Sequence, residues 1–120
     1  MIVITPYRPE WPDEFQVIGG ALRAALGDLA LRIDHIGSTA VPGLAAKDRI
    51  DIQITVRALT PEVEAALNRA GYQRVERIKG DHVPPQGAED PAEWAKRFFT
   101  APPGQRPTNT HVRVAGRANQ

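Results

Sequence analysis

Cysteine is absent from the sequence, which excludes a disulfide framework and a thiolate metal site. Long apolar runs are missing too: none approaches the roughly 20 residues that span a bilayer. The N-terminus, MIVITPYRPEW, has no basic segment leading into an apolar stretch, so no signal peptide is expected. Nor is there an excess of either charge. Fifteen Lys and Arg stand against 14 Asp and Glu, a net charge of +1, so no global field advertises nucleic acid or an anionic membrane. There are no internal repeats and no low-complexity tracts. What is left is one ordinary globular domain over residues 1–120, large enough for one modest core, expected to be soluble and cytoplasmic.

Along the chain, MIVIT is a short β-branched run closed by Pro6, Pro9 and Pro12. Residues 13–26 set Phe15, Ile18, Leu22, Ala25 and Leu26 at helical spacing, with Gly27 as the stop. LALRIDHI (29–36) and RIDIQITV (49–56) alternate as strands do. In the second, Ile50, Ile52, Ile54 and Val56 share one face and Asp51, Gln53 and Thr55 the other. Thr60-Pro61 opens a helix to about Ala70, and YQRVERI (72–78) reads as a polar edge strand. DHVPPQGAED is a loop, with Asp81 and His82 expected in a solvated turn rather than a lid. Asp90-Pro91-Ala92-Glu93 predicts an N-cap and a short helix through Phe99, with Trp94 and Phe98 toward the core. NTHVRVAG is a last strand, with His111 and Arg113 on one face. Trp11, among three prolines, is expected to pack over a sheet edge rather than stack on a base. The order predicts an α/β or α+β domain with a mixed sheet.

Four stretches carry a resemblance: YRPEWP near the start, HIGSTAVPGLAAK followed by IDI, AGY at 70–72, and NTHVRVAG near the end. Together they resemble the GrpB family, small bacterial proteins of uncertain activity within the nucleotidyltransferase superfamily. The resemblance implies a nucleotidyltransferase-like fold, its mixed sheet backed by helices mainly on one face. The wording GDHVPP and THVR is similar to the actinobacterial-type branch, some members of which are fused to dephospho-CoA kinase. Position 48, commonly Pro in the family, is Asp here. Family members continue into a helix rich in apolar and basic residues, and this sequence stops before one. A domain truncated at Gln120 would be expected to cover its open sheet face by forming a homodimer.

Nucleotidyltransferases need a turn whose amides hold phosphate, paired carboxylates on one strand for metal, and usually a third carboxylate on a neighbouring strand. The resemblance places Gly37-Ser38 at that turn and Asp51 at the first carboxylate, so Asp51 and Ser38 are the catalytic candidates. Gly37, Ser38, Thr39, Lys47, His111 and Arg113 are the candidates for binding nucleotide or phosphate. Asp51 and Gln53 are the metal candidates, with Mg²⁺ as the expected ion. Gln53, however, offers a neutral carbonyl where a bridging site wants a second negative oxygen, and THVRV supplies His111 or Arg113 where a third carboxylate would stand. Asp51 has a simpler alternative as a loop cap or a partner of Lys47 or Arg49, and His35 is expected to brace the turn. No two of His35, His82 and His111 have helical or zinc-loop spacing, so no zinc site is expected. Two functions follow. One is nucleotidyl transfer from an NTP to an unidentified acceptor; the other is a non-catalytic module that binds a nucleotide, another phosphorylated small molecule or a protein partner.

Overall fold

The computed structural model describes residues 3–85, 87 and 90–120. Helix α1 spans Glu10–Leu26 and helix α2 Pro61–Arg69. The strands are β1 (Arg32–Ile36), β2 (Ile50–Val56), β3 (Gln73–Arg74), β4 (Lys96–Thr100) and β5 (Thr108–Val114). They form one mixed sheet in the order β1-β2-β5-β4-β3. Only the central β2–β5 pair is parallel; the others are antiparallel.

Helix α1 begins three residues before the expected Asp13. Pro12 falls in its first turn, where a proline removes no intrahelical hydrogen bond, and Glu10 and Asp13 suit the positive end of the helix dipole. Its apolar stripe, Trp11, Phe15, Ile18, Leu22 and Leu26, packs with Val63, Ala66 and Leu67 of α2 against one sheet face. That face is supplied by alternate residues of the central strands: Ile50, Ile52 and Ile54 from β2 and Val112 from β5, all fully buried. Both helices therefore lie on one side. The other face holds the polar alternates Asp51, Gln53, Asn109, His111 and Arg113.

Trp11 is fully buried, and its Nε1–H donates to Asp48 at 2.8 Å. Asp48 also pairs with Arg8 at 3.3 Å and with Arg106, which in turn pairs with Glu14. Asp48 is thus the hub that ties the N-terminal segment, α1 and the 101–107 loop together. Hydrogen bonds from Arg106 and then Trp11 hold its carboxyl below the usual range.

Three sequence expectations are corrected. Residues 91–99 are not a helix. The Asp90 cap does form, its Oδ1 accepting from Ala92 N at 2.9 Å, but the 3₁₀ turn ends at Trp94 and Ala95 is extended. Lys96–Thr100 then forms β4 along β5. A cap stabilises only one turn, whereas a strand here satisfies the backbone of a central strand and suits the aromatic pair. The period changes with it, so Phe99 is the buried core residue, while Phe98 and Trp94 are half-buried. At the N-terminus, the β-branched run MIVIT suggests a first strand; its residues 1 and 2 lie outside the described residues, and of the rest only Thr5 is paired, in one bridge to Ala46. The edge strand expected over 72–78 contracts to Gln73–Arg74.

Candidate functional site

The polar sheet face carries the site. Strand β1 ends at Ile36, paired with Asp51 of β2, and the chain then turns at Gly37 into a 3₁₀ turn, Ser38–Ala40. Gly37 has φ 74° and ψ −169°, a region essentially confined to glycine. A Cβ there would sit 2.5 Å from Asp51 Oδ2, so the missing side chain is what lets this carboxylate lie against the turn. The other carboxylate oxygen, Oδ1, accepts from Asn109 Nδ2 at 2.9 Å, and Asn109 Oδ1 accepts from Arg49 at 3.3 Å. Gly37 and Ser38 are exposed and Asp51 half-buried.

Thr39 points the other way. It is buried, its Oγ1 lies 2.9 Å from His35 Nε2, and the His35 ring stacks on Phe15 at 5.0 Å. Burial lowers the His35 pKa, against an opposing pull from Asp51. This pair braces the turn from the helix side, so Thr39 has only its amide to offer a ligand. Lys47 is exposed on the loop before β2, and among the described residues no hydrogen bond or ion pair joins it to the turn or to Asp51.

Gln53 and Arg113 are brought together, but with each other. Arg113 Nη1 donates to Gln53 Oε1 at 2.8 Å. Arg113 Nε and Nη2 also grip Asp81 in a bidentate pair at 2.9 and 3.0 Å. Asp81 accepts as well from Lys96 at 2.5 Å and from Asn119 at 2.8 Å. It is therefore not in the solvated turn expected from its Pro-rich loop. Burial pushes its pKa up, but the hydrogen bonds from Arg113, Lys96 and Asn119 outweigh that and hold the carboxyl well below the usual range. His111 Nδ1 lies 3.1 Å from Lys96 Nζ, and its ring meets Phe98 edge-on. Burial, then the charges of Lys96 and Arg113, lower the His111 pKa to about 4. Because the Lys96 ammonium can only donate, Nδ1 accepts and the neutral ring carries its proton on Nε2.

A two-metal centre does not fit these residues. Gln53 Oε1 is taken by a guanidinium, Asn109 turns a donor toward Asp51, and the nearby Asp34 is paired with Arg32 at 3.0 Å. Among the described residues, no group of three or more His, Cys, Asp and Glu could hold a metal ion. His35 and His111 lie on opposite faces of the sheet, and His82 is exposed. A single Mg²⁺ arriving with a ligand's phosphates does fit Asp51, since that ion commonly uses one carboxylate, phosphate oxygens and waters.

Sequence reasoning missed Asn109, Lys96, Asp81 and Asn119. Asn109 was visible in principle, because it alternates with His111 and Arg113 along one strand. Lys96 was hidden by the helix expected there. Asp81 and Asn119 reach the face from loops 32 and 38 residues away in sequence from the groups they bind, and no local pattern marks them.

A Gly-Ser turn facing a carboxylate on the next strand, over a mixed sheet backed by two helices, defines a nucleotidyltransferase-like fold. The chain belongs to the GrpB family, whose model, described as GrpB protein, matches residues 1–120. A solved structure of GrpB from Enterococcus faecalis is similar, with a TM-score of 0.68 and 27% identity over 98% of this chain and 64% of that one. Among curated proteins, the dephospho-CoA kinase of Mycolicibacterium paratuberculosis is 45% identical over 94% of this chain and 31% of its own length. That of Mycobacterium tuberculosis H37Rv is 41% identical over 98% and 32%. The chain spans about a third of the length of these curated relatives. No helix among the described residues is long and apolar enough to cross a membrane.

Proposed function

We propose that this domain binds a phosphorylated small molecule, a nucleotide or CoA-type phosphate, at the Gly37–Asp51 corner without transferring a nucleotidyl group. The observation that carries the reading is the seating of Asp51: one oxygen is held by Asn109 and the other lies against a turn kept open by a glycine. Gly37 and Ser38 are exposed residues whose amides suit phosphate, and Asp51 suits one Mg²⁺ brought in by it. Against transfer stands the carboxylate count. Clamping both the attacking and the leaving oxygen takes two metals, and Gln53 and Asn109 are neutral amides whose oxygens already accept from Arg113 and Arg49. Because the chain matches about a third of the length of relatives named dephospho-CoA kinase, CoA-type phosphates join the nucleotides as ligands to test.

The test is a thermal-shift panel of nucleotides, dephospho-CoA and CoA with Mg²⁺, Mn²⁺ or EDTA, on wild type and Asp51→Asn. A ligand at a hundredfold excess over its Kd adds about 2.7 kcal/mol of apparent stability. The expected result is a metal-dependent shift that disappears in Asp51→Asn, with no pyrophosphate released from NTPs. Shifts that ignore both EDTA and the substitution remove Asp51 from the site, and release of pyrophosphate would restore the transferase reading.

A further inference from the structure

At the far end of the same face, four donors converge on one carboxylate. Arg113 supplies two, Lys96 and Asn119 one each, all to Asp81 at 2.5–3.0 Å. Four is about the number of lone-pair sites a carboxylate offers, so Asp81 is saturated. Among the described residues, the charges do not balance. Arg113 and Lys96 bring two positive charges and Asp81 one negative, while His111 beside them is neutral and Gln53 is an amide. Among the described residues, the acid Glu93 on the same side pairs with Arg117, at 3.9 Å. Lys96 is only 8% exposed, so the excess charge is poorly shared with water, and a buried cation without full compensation is costly.

A dianionic tetrahedral oxyanion meets both demands of this cradle. It has oxygens enough for the same donors, in geometry a guanidinium fork accepts, and it neutralises both cations where a carboxylate neutralises one. The carboxylate comes from outside the sheet. Asp81 hangs from a loop joined to the sheet edge by the Gly80–Ala95 bridge and by Asp81 N–H to Trp94 O at 2.7 Å. Beyond it, His82, Val83, Pro84 and Pro85 are exposed.

We infer that Arg113, Lys96 and Asn119 form an oxyanion site for phosphoryl groups, filled in the free protein by the chain's own Asp81, whose carboxylate a phosphate ligand replaces. Asp81 is thus an internal competitor, and the cradle binds phosphate weakly until that carboxylate is moved or removed. Neither the Gly37 turn nor a metal is involved, so the inference stands apart from the reading of the Asp51 corner.

The experiment uses inorganic phosphate, with chloride at matched ionic strength as reference and no nucleotide or metal present. Asp81→Ala, with two cations left facing each other, is expected to melt below wild type. Phosphate is expected to raise its melting temperature by about 5 °C or more beyond the wild-type response. The double variant Asp81→Ala/Arg113→Gln should lose that gain. Where Asp81→Ala does not fold in chloride, recovery of its far-UV dichroism in phosphate is the equivalent result. Asp81→Asn, which keeps the shape of the side chain, should bind phosphate at least about tenfold more tightly than wild type, a difference of about 1.4 kcal/mol. No selective phosphate effect in either single variant, or one that survives loss of Arg113, overturns the inference.

Discussion

Replacing Gly37 with alanine tests the link between the turn and Asp51 directly. The backbone at φ 74° and ψ −169° would cost a residue with a side chain about 1–3 kcal/mol. The new methyl would also lie 2.5 Å from Asp51 Oδ2 and 3.1 Å from its Cβ. The clashing atoms belong to a short side chain on a central strand, so Asp51 must swing away and give up its 2.9 Å bond to Asn109. A hydrogen bond to a charged group contributes about 1.5–3 kcal/mol, less here because Asp51 is half-exposed. The expected loss is about 3–4 kcal/mol, read as a lower urea midpoint at unchanged m-value. Gly43→Ala is the control: its φ is also positive, at 82°, but a Cβ there meets nothing within 4 Å, so only about 1–2 kcal/mol of backbone strain is expected. Removing the carboxylate with Asp51→Ala should relieve part of the clash, making the double variant less unstable than the sum of the singles by about 1 kcal/mol. Equal losses at Gly37 and Gly43, together with strict additivity with Asp51→Ala, would refute the claim that this glycine exists to seat the carboxylate.

Three further perturbations have signs fixed by the structure. His111 titrates near 4 when folded and at 6.5 as a free side chain, so the unfolded chain takes up its proton first and stability falls as pH drops from about 6.5 to about 4. Allowing for its partial exposure, that fall amounts to about 1–2 kcal/mol; urea midpoints should track it, and His111→Gln should flatten it, apart from a residue due to His35, which burial shifts the same way. Asp81, held low when folded, contributes stability above its unfolded value of 3.8 that is lost only at lower pH, so a second descent there should persist in His111→Gln and vanish in Asp81→Asn. Phe99→Ala should cost about 3–5 kcal/mol and Phe98→Ala well under half of that, measured by denaturant unfolding; the reverse order would mean that β4 is out by one residue. Trp11→Phe keeps most of the apolar bulk but removes the donor to Asp48, and a loss of about 1–2 kcal/mol is expected; no measurable change would show that this hydrogen bond does not anchor the start of α1.

Much of this protein was settled by patterns that act over a few residues. The alternation in RIDIQITV places Ile50, Ile52 and Ile54 inside and Asp51 and Gln53 outside whatever the neighbouring strands are, because a strand's side-chain period is two. The 3.6-residue recurrence of Phe15, Ile18, Leu22 and Leu26 fixes α1 in the same way. Gly37 before Ser38 marked a turn within its own segment, whereas Asp51 was singled out by the resemblance to a family, not by local pattern.

Tertiary structure decided the rest, since the quantities involved are sums over distant parts of the chain. The Asp90 cap favours a helix by a kilocalorie or so, but pairing five residues with β5 and burying Phe99 outweighs it, and nothing within residues 90–100 records that competition. The parallel register of β2 and β5 sets Asn109 beside Asp51 and His111 beside Gln53, which made the metal-ligand candidates neighbours of donors. Arg113, legible as a cation on the polar face, is engaged by Asp81 from a loop 32 residues upstream. Whether that guanidinium was open to a ligand or already paired depended on where the loop came to rest. Local sequence chose which side chains point toward the site, and the packing of remote segments chose what they meet there.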